Sequence, residues 1–244
     1  MISIICAVNN TEILEKMLIS SLKKQTYQNF EFISVDAKSL GFKSASDTLN
    51  YGASQANGEI LLFVHQDVEL IDHTILQSIV NFDREYEYGI AGVCGIVGTG
   101  EYKNYSSVLV GYNKKQTGIK NTQIREIYAL DECLFFLNRS NFMGFDDLGD
   151  TWHFYAVDYS YRCHKKEMNV MLIPNPIYHL SPGWSLDYSY FDTLNFIGKK
   201  YNKEKYIKTC MGVFNNRKTL KMYCEYRKLK IFIKKKLGID RKNG

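Results

Sequence analysis

No apolar run among the 244 residues approaches the ~20 needed to cross a bilayer. The opening run from Met1 to Val8 is too short for a signal peptide and lacks the basic start of one. The chain is therefore expected to stay in the cytoplasm. The six cysteines, Cys6, Cys94, Cys133, Cys163, Cys210 and Cys224, show no CxxC spacing. Several lie inside apolar runs, where cysteine behaves as a small core residue, so free thiols and no structural zinc are expected. Internal repeats and low-complexity tracts are missing as well.

What is present is core-forming material. With 45% hydrophobic and 14% aromatic residues the chain can bury a substantial core, as one large domain or one domain with a tail, and this excludes disorder throughout. The formal charge of +5 is unevenly spread: residues 217–244 hold eleven Lys and Arg against Glu225 and Asp240, so the rest is net acidic.

The pattern is organised around Gly58 to Glu69, where Ile60-Leu61-Leu62-Phe63-Val64 runs straight into His65-Gln66-Asp67. Five apolar residues without alternation fit a strand covered on both faces. In open α/β sheets ligands gather at the carboxyl ends of such strands. Around it, Ile2 to Val8 and Phe30 to Val35 read as strands, the second ending at Asp36. Thr11 onward and Ser44 to Ala56 read as helices, and Asp72 is placed to cap a third that carries Ile75, Leu76, Ile79, Val80 and Phe82. Ile90 to Val97 makes another buried strand, and this alternation predicts a doubly wound, mostly parallel sheet. Gly98 to Gln123 reads as a mobile or substrate-facing loop, and Ile124 to Leu137 as a strand or strand pair interrupted by Asp131-Glu132. Tyr155 to Met168 looks helical, Val170 to Ile173 is a strand, and the end is mostly helical and basic.

The order of elements, and the residues that close each strand, resemble the family 2 glycosyltransferases of the GT-A fold. The resemblance spans roughly residues 1–200. It is carried by Ile2 to Asn10, Phe32 to Asp36, Leu49-Asn50-Tyr51-Gly52-Ala53, Ala56-Asn57-Gly58-Glu59-Ile60 leading into His65-Gln66-Asp67, Gly144 to Asp147, and Val157 to Arg162 followed by Pro174 and His179. The fold it implies is a GT-A-like, Rossmann-like domain over 1–200 with a basic, mostly helical extension over 201–244. The activity it implies is inverting sugar transfer from a nucleotide-sugar donor, a uridine diphosphate sugar being favoured, to a hydroxyl of a glycan or lipid-linked glycan, in a setting such as bacterial surface-polysaccharide assembly.

The resemblance also distributes roles. Val8, Asn9, Asp36, Asn50, His65 and Gln66 fall on the donor side, with Asn9 and Asp36 at positions that hold base and ribose; an Asn can pair both ways and a carboxylate accepts from a uracil-like N–H. Asp67 matches the last Asp of the family's DxD motif, which holds Mn2+ or Mg2+ on the diphosphate. His65 replaces the first Asp, and His179 falls where related enzymes use a late His ligand. The base is expected in a Glu-Asp pair ahead of the helix Arg, here Arg162, and that count lands on Tyr155-Ala156. Asp158 is then the favoured base, with Asp147, Asp146 and His153 behind it; an Asp in a first helical turn also favours the dipole and can pair with Arg162. Asp131-Glu132 is a charged pair in an apolar run and is placed to face donor sugar or acceptor. Trp152, Phe154, Tyr155 and Trp184 are available to stack on sugar rings, although such aromatics usually belong to cores. The basic tail interleaves Lys and Arg with Leu220, Met222, Tyr226, Leu229, Phe232 and Ile233, as in a helix lying on an anionic leaflet or packed on the domain. No nucleic-acid recognition motif accompanies the charge. Two other readings stay open: a sugar-nucleotide-binding module without catalysis, and a nucleotidyltransferase. The absence of Gly and Arg from residues 6–12 weighs against the second.

Overall fold

The computed structural model of the chain describes residues 1–98, 102–181, 186–216 and 219–237. Seven strands form its central sheet: β1 (Ile2–Val8), β2 (Phe30–Asp36), β3 (Ile60–Val64), β4 (Ile90–Gly92), β5 (Arg125–Glu126), β6 (Leu134–Asn138) and β7 (Val170–Leu172), in the order β5-β7-β4-β6-β3-β1-β2. β1 is parallel to both β2 and β3, and β7 is parallel to β4. Every residue of β3 is buried, as its unbroken apolar run requires. β6 runs antiparallel between β3 and β4. An apolar run reports burial and not direction, so the sequence left this reversal open. Its consequence is positional: an antiparallel strand presents its amino end where its neighbours present their carboxyl ends, which sets Asp131-Glu132-Cys133 beside His65. The His65 N–H donates to Cys133 O at 3.0 Å.

Among the described residues six longer helical segments and a 3-10 turn at Arg139–Asn141 accompany the sheet. The first, α1 over 11–22, starts on an Asn10 cap whose Oδ1 accepts from Ile13 N at 3.0 Å, and its middle turn Glu15–Ile19 is π-wound. Leu14, Leu18 and Leu22 recur every four residues, a spacing that drifts around an α-helix of 3.6 residues per turn and stays in line across a wider turn. α2 (Ala45–Ser54) is capped by Ser44 and lies over β1 and β2. Its Gly52 allows the approach, since a Cβ there would come within 2.5 Å of Ile5 Cγ2. α3 (Ile75–Glu85) begins after Thr74 and not after Asp72. Asp72 accepts from Thr74 N at 2.8 Å and, through its other oxygen, from Asn175 Nδ2 at 2.8 Å. α4 (Tyr155–Lys165) packs on β4 and β7. α5 (Tyr188–Lys200) and α6 (Leu220–Lys236) pack on each other, with a hairpin of Tyr206–Thr209 and Gly212–Asn215 between them in sequence.

Residues 102–123 hold four short strands where a loop was expected. Asn104–Ser106 and Ile119–Lys120 join Cys94–Ile96 and Ala129–Leu130 in one side sheet. Val108–Val110 and Lys115–Gln116 join Val68–Glu69 and Ile177–His179 in another. The second sheet pairs His179 with Val68 in register, next to Asp67. The C-terminal elements are tied to the body: Tyr201, Ile207, Leu220 and Cys224 share a buried cluster with Phe154, Val157 and Tyr161 of the α4 region and with Phe191, Leu194 and Ile197 of α5. Among the described residues no helix is long and apolar enough to cross a membrane.

Candidate active site

Three side chains converge beyond the carboxyl end of β3. Asp67 Oδ1 lies 3.2 Å from His179 Nε2, which lies 3.4 Å from His65 Nδ1. The ligand atoms of all three fall within 4.8 Å of one another, close enough to share one cation. His65, which the resemblance puts on the donor side in place of the first Asp of the motif, stands in one cluster with Asp67 and His179.

The protonation pattern suits metal ligation. Burial, reinforced by the neighbouring His179, pushes the His65 imidazolium pKa down to about 4, which leaves the ring neutral near pH 7. Its Nε2 is 3.0 Å from the Tyr155 hydroxyl, whose proton is directed to Glu132 O at 3.4 Å. With the Tyr155 proton so used, its oxygen accepts from Nε2–H, and the Nδ1 lone pair faces Asp67 and His179. Burial acts to raise the Asp67 pKa, but the hydrogen bond and charge of His179, with His65, hold it below the usual carboxylate value. The Asp67 Oδ2 accepts from Ser181 N at 3.2 Å and its main-chain carbonyl from Leu180 N at 3.0 Å, so the chain after His179 closes on it. One carboxylate and two imidazoles fit a borderline ion such as Mn2+ better than Mg2+, which favours oxygen ligands throughout.

Gln66 points the other way, toward the loop after β1. Its Oε1 accepts from both Asn9 N and Asn10 N at 3.0 Å, and its Nε2 donates to Asn9 Oδ1. Val8 and Asp36 are register partners at the ends of β1 and β2, so Asn9 and Asp36 lie side by side at the sheet's carboxyl edge. The Asp36 carboxylate accepts from Ser39 Oγ and Ser39 N, which lowers its pKa. Asn50 is engaged elsewhere: its amide pairs both ways with the Phe145 main chain at 2.8 Å, a clip between α2 and the 142–154 segment.

The expected bases have other occupations. Asp158, 1% exposed, accepts from Lys200 Nζ at 2.6 Å and from the Tyr201 hydroxyl at 2.7 Å, with Arg162 at 3.8 Å. It does not join the His65 cluster, because it sits on the side of α4 that packs on α5. Asp146 binds Arg162 and Lys200. Asp147 is exposed and closes a turn by accepting from Gly149 N at 2.8 Å. The His153 ring stands 5.3 Å from the Tyr190 ring. Phe154 and Tyr155 are buried in the core and Trp152 is exposed, while Trp184 lies outside the described residues.

Glu132 belongs to the charged Asp131-Glu132 pair that the sequence singled out without separating its two members. Burial, and then Asp131 beside it, raise its pKa well above the ordinary value, opposed by the N–H groups of Phe154 and Tyr155 at the start of α4. Its Oε1 is buried with no hydrogen-bond partner among the described residues, a condition that costs about 1–3 kcal/mol for a polar group. Phe154 is left-handed at φ 69°, a strained conformation for a bulky residue. The charged pair in an apolar run pointed to this place in the sequence; what it lacked was the antiparallel direction of β6, which brings Asp131-Glu132-Cys133 beside His65.

Comparisons with known proteins agree with this architecture. The chain resembles S. aureus TarS 1–349 (TM-score 0.54, 16% identity, 82% of this chain and 64% of that one). In its complex with UDP-GlcNAc the same protein matches at TM-score 0.55 and 15% identity, over 82% of this chain and 66% of that one. The mannosyltransferase PcManGT from Pyrobaculum calidifontis, in complex with GDP-Man and Mn2+, matches at TM-score 0.56 and 12% identity, over 83% of this chain and 63% of that one. The chain therefore spans less than two thirds of the first of these structures. At such identities the likeness concerns the fold, which is that of GT-A glycosyltransferases. No curated protein matches by sequence. A family model described as a glycosyltransferase-like family matches residues 3–214. Over most of its length, then, this is a member of the glycosyltransferase-like family.

Proposed function

We propose that the protein transfers a sugar from a nucleotide donor, a uridine diphosphate sugar being favoured, to a hydroxyl of a glycan acceptor with inversion at the anomeric carbon. The observation that carries the reading is the convergence of His65, Asp67 and His179 beyond β3, beside the Asn9 and Asp36 edge. Asn9 and Asp36 would hold the base and ribose, with Gln66 fixing the Asn9 loop. Asp67, His179 and His65 would hold Mn2+ or Mg2+; when bound, that ion offsets the charge that grows on the leaving diphosphate. Support comes also from the fold relatives, whose structures contain UDP-GlcNAc in one case and GDP-Man with Mn2+ in another. Assembly of a bacterial surface polysaccharide is the setting this reading favours.

A lipid-linked acceptor fits the far end of the chain. On α6, Met222, Tyr226, Leu229 and Ile233 form one stripe, 45 to 73% exposed, while Leu220 and Cys224 on the opposite side are buried. Lys221, Lys230, Lys234 and Lys236 flank the stripe. An apolar strip edged by ammonium groups is complementary to an anionic lipid surface.

One observation favours a second reading. Ala156 offers no carboxylate where the family places its base, and Asp158 is closed off, as in a module that binds a nucleotide sugar without consuming it. Calorimetric titration with uridine and guanosine diphosphates, with Mn2+, Mg2+ or chelator, tests the shared part of both readings. Metal-dependent binding is expected, abolished by Asp67→Ala with thermal unfolding nearly unchanged. Binding that survives Asp67→Ala removes Asp67 from the site, and no binding of any diphosphate removes the donor reading itself.

A further inference from the structure

We propose that Glu132 is the catalytic base of this site, accepting the proton of the attacking hydroxyl in place of the missing helix carboxylate. The assignment rests on the glycosyl-transfer reading above.

Position comes first. The family's base slot falls at Ala156, in the first turn of α4. Glu132 brings a carboxyl group to the same corner from another element, the segment leading into β6, where the N–H groups of Phe154 and Tyr155 act on it. The corner is also tied to the cation cluster. Tyr155 bonds His65 with its hydroxyl and the Glu132 carbonyl with the same group, so the backbone carrying the carboxyl is held one side chain away from the cluster.

Availability comes second. Asp158, Asp146 and Asp147 are occupied as described, and Asp131 Oδ1 accepts from Cys133 N at 3.0 Å. Glu132 Oε1 instead has no partner among the described residues, and it is shielded from bulk water. Native structures rarely leave a buried carboxyl oxygen so placed unless something else completes it. The titratable groups around it are Asp131 on its own segment, Tyr155 on α4 and Tyr190 on α5, the last two both influenced by its charge.

The step is balanced. The acceptor oxygen bonds to the anomeric carbon, the bond from that carbon to the diphosphate oxygen breaks with its electron pair leaving on the nucleoside diphosphate, and the acceptor proton passes to the Glu132 carboxylate. Product departure returns the proton to solvent.

The test measures nucleoside diphosphate release from a panel of uridine and guanosine diphosphate sugars with Mn2+, water serving as acceptor where no glycan is accepted. Calorimetry with the matching diphosphate runs in parallel. Glu132→Gln is expected to keep diphosphate affinity within about twofold and to lower kcat by about 100-fold or more. Formate should restore part of the rate to Glu132→Ala. In the wild type the acidic limb of the pH–rate profile should lie above the ordinary carboxylate range, and Glu132→Gln should lack it. Turnover within threefold of wild type in Glu132→Gln overturns the assignment and passes the role to His153, tested by His153→Gln. A Glu132→Gln variant that fails to fold leaves the wild-type limb and the formate effect on Glu132→Ala to decide, and absence of both rejects the base. A wild type that neither binds a diphosphate nor releases one from any donor defeats the transfer reading, and the assignment with it.

Discussion

Gly58 shows how a residue that looks like part of a functional pattern can be structural. It sits at the amino ends of β1 and β3, away from the cluster, and donates its N–H to Ser3 Oγ at 2.7 Å. A Cβ there would lie 2.6 Å from Ser3 N and 2.8 Å from Met1 O, both main-chain atoms that cannot swing aside. Asn57 gives its main-chain and side-chain N–H groups to the Glu31 carboxylate, and Glu59 N donates to Met1 O at 3.0 Å. Gly58→Ala is therefore expected to lower stability by about 1–3 kcal/mol, the range for overpacking a closed site, with diphosphate binding intact once folded. Urea denaturation beside calorimetry checks it; an unchanged midpoint would mean the edge yields freely. Residue types at the site were legible to the same limited extent. His65, Asp67 and His179 announce ligand chemistry by type, and the end of an apolar strand announces where. Asn50 and Asp158 have equally suitable chemistry, and only their partners, Phe145 for one and Lys200 with Tyr201 for the other, reveal that they are engaged.

At the scale of elements, the apolar runs located β1 and β3 well because each is buried almost throughout, and β2 was found as an apolar run although only Val35 of it is buried. Such patterns failed where pairing partners decide: the direction of β6, and the side sheets built from two- and three-residue strands of 102–123, depend on contacts far away in sequence. α6 is the element whose two faces were both visible in sequence, but which face is covered was not. Its outer stripe leads to a direct expectation. The protein should sediment with vesicles containing about a third phosphatidylglycerol and not with neutral phosphatidylcholine vesicles, and salt should weaken the association as it screens the lysines. The double substitution Leu229→Asp, Ile233→Asp should reduce vesicle binding at least tenfold without moving the thermal midpoint, since both side chains are about half exposed. Equal binding by the variant, or a wild-type dimer that the double substitution dissociates, would assign the stripe to something other than lipid.

At the scale of the whole molecule, one charged cluster joins the segment before the site to the C-terminal half. Arg162 on α4 donates to the Gly144 and Met143 carbonyls and to Asp146; Lys200 at the end of α5 bridges Asp146 and Asp158; Tyr201 closes over Asp158. The 143–146 turn, α4 and α5 thus meet at a carboxylate with 2% of its side chain exposed. Breaking a buried pair by removing one partner costs about 3–5 kcal/mol. Here Lys200 keeps Asp146 and is itself part exposed, so Asp158→Ala is expected to cost roughly 2–3 kcal/mol, or about 5–10 °C in Tm for a chain of this size. Because Lys200 holds two carboxylates, Lys200→Met and the double variant should show coupling: the two losses together should fall short of their sum. Hydrogen exchange should rise along α4 and α5 together. A catalytic Asp158 would behave oppositely, with Tm held and turnover lost in Asp158→Asn. The cycle therefore separates the two roles without knowledge of the acceptor: a Tm unmoved by Asp158→Ala would free that carboxylate from its structural duty and make it, not Glu132, the stronger candidate for taking the acceptor's proton.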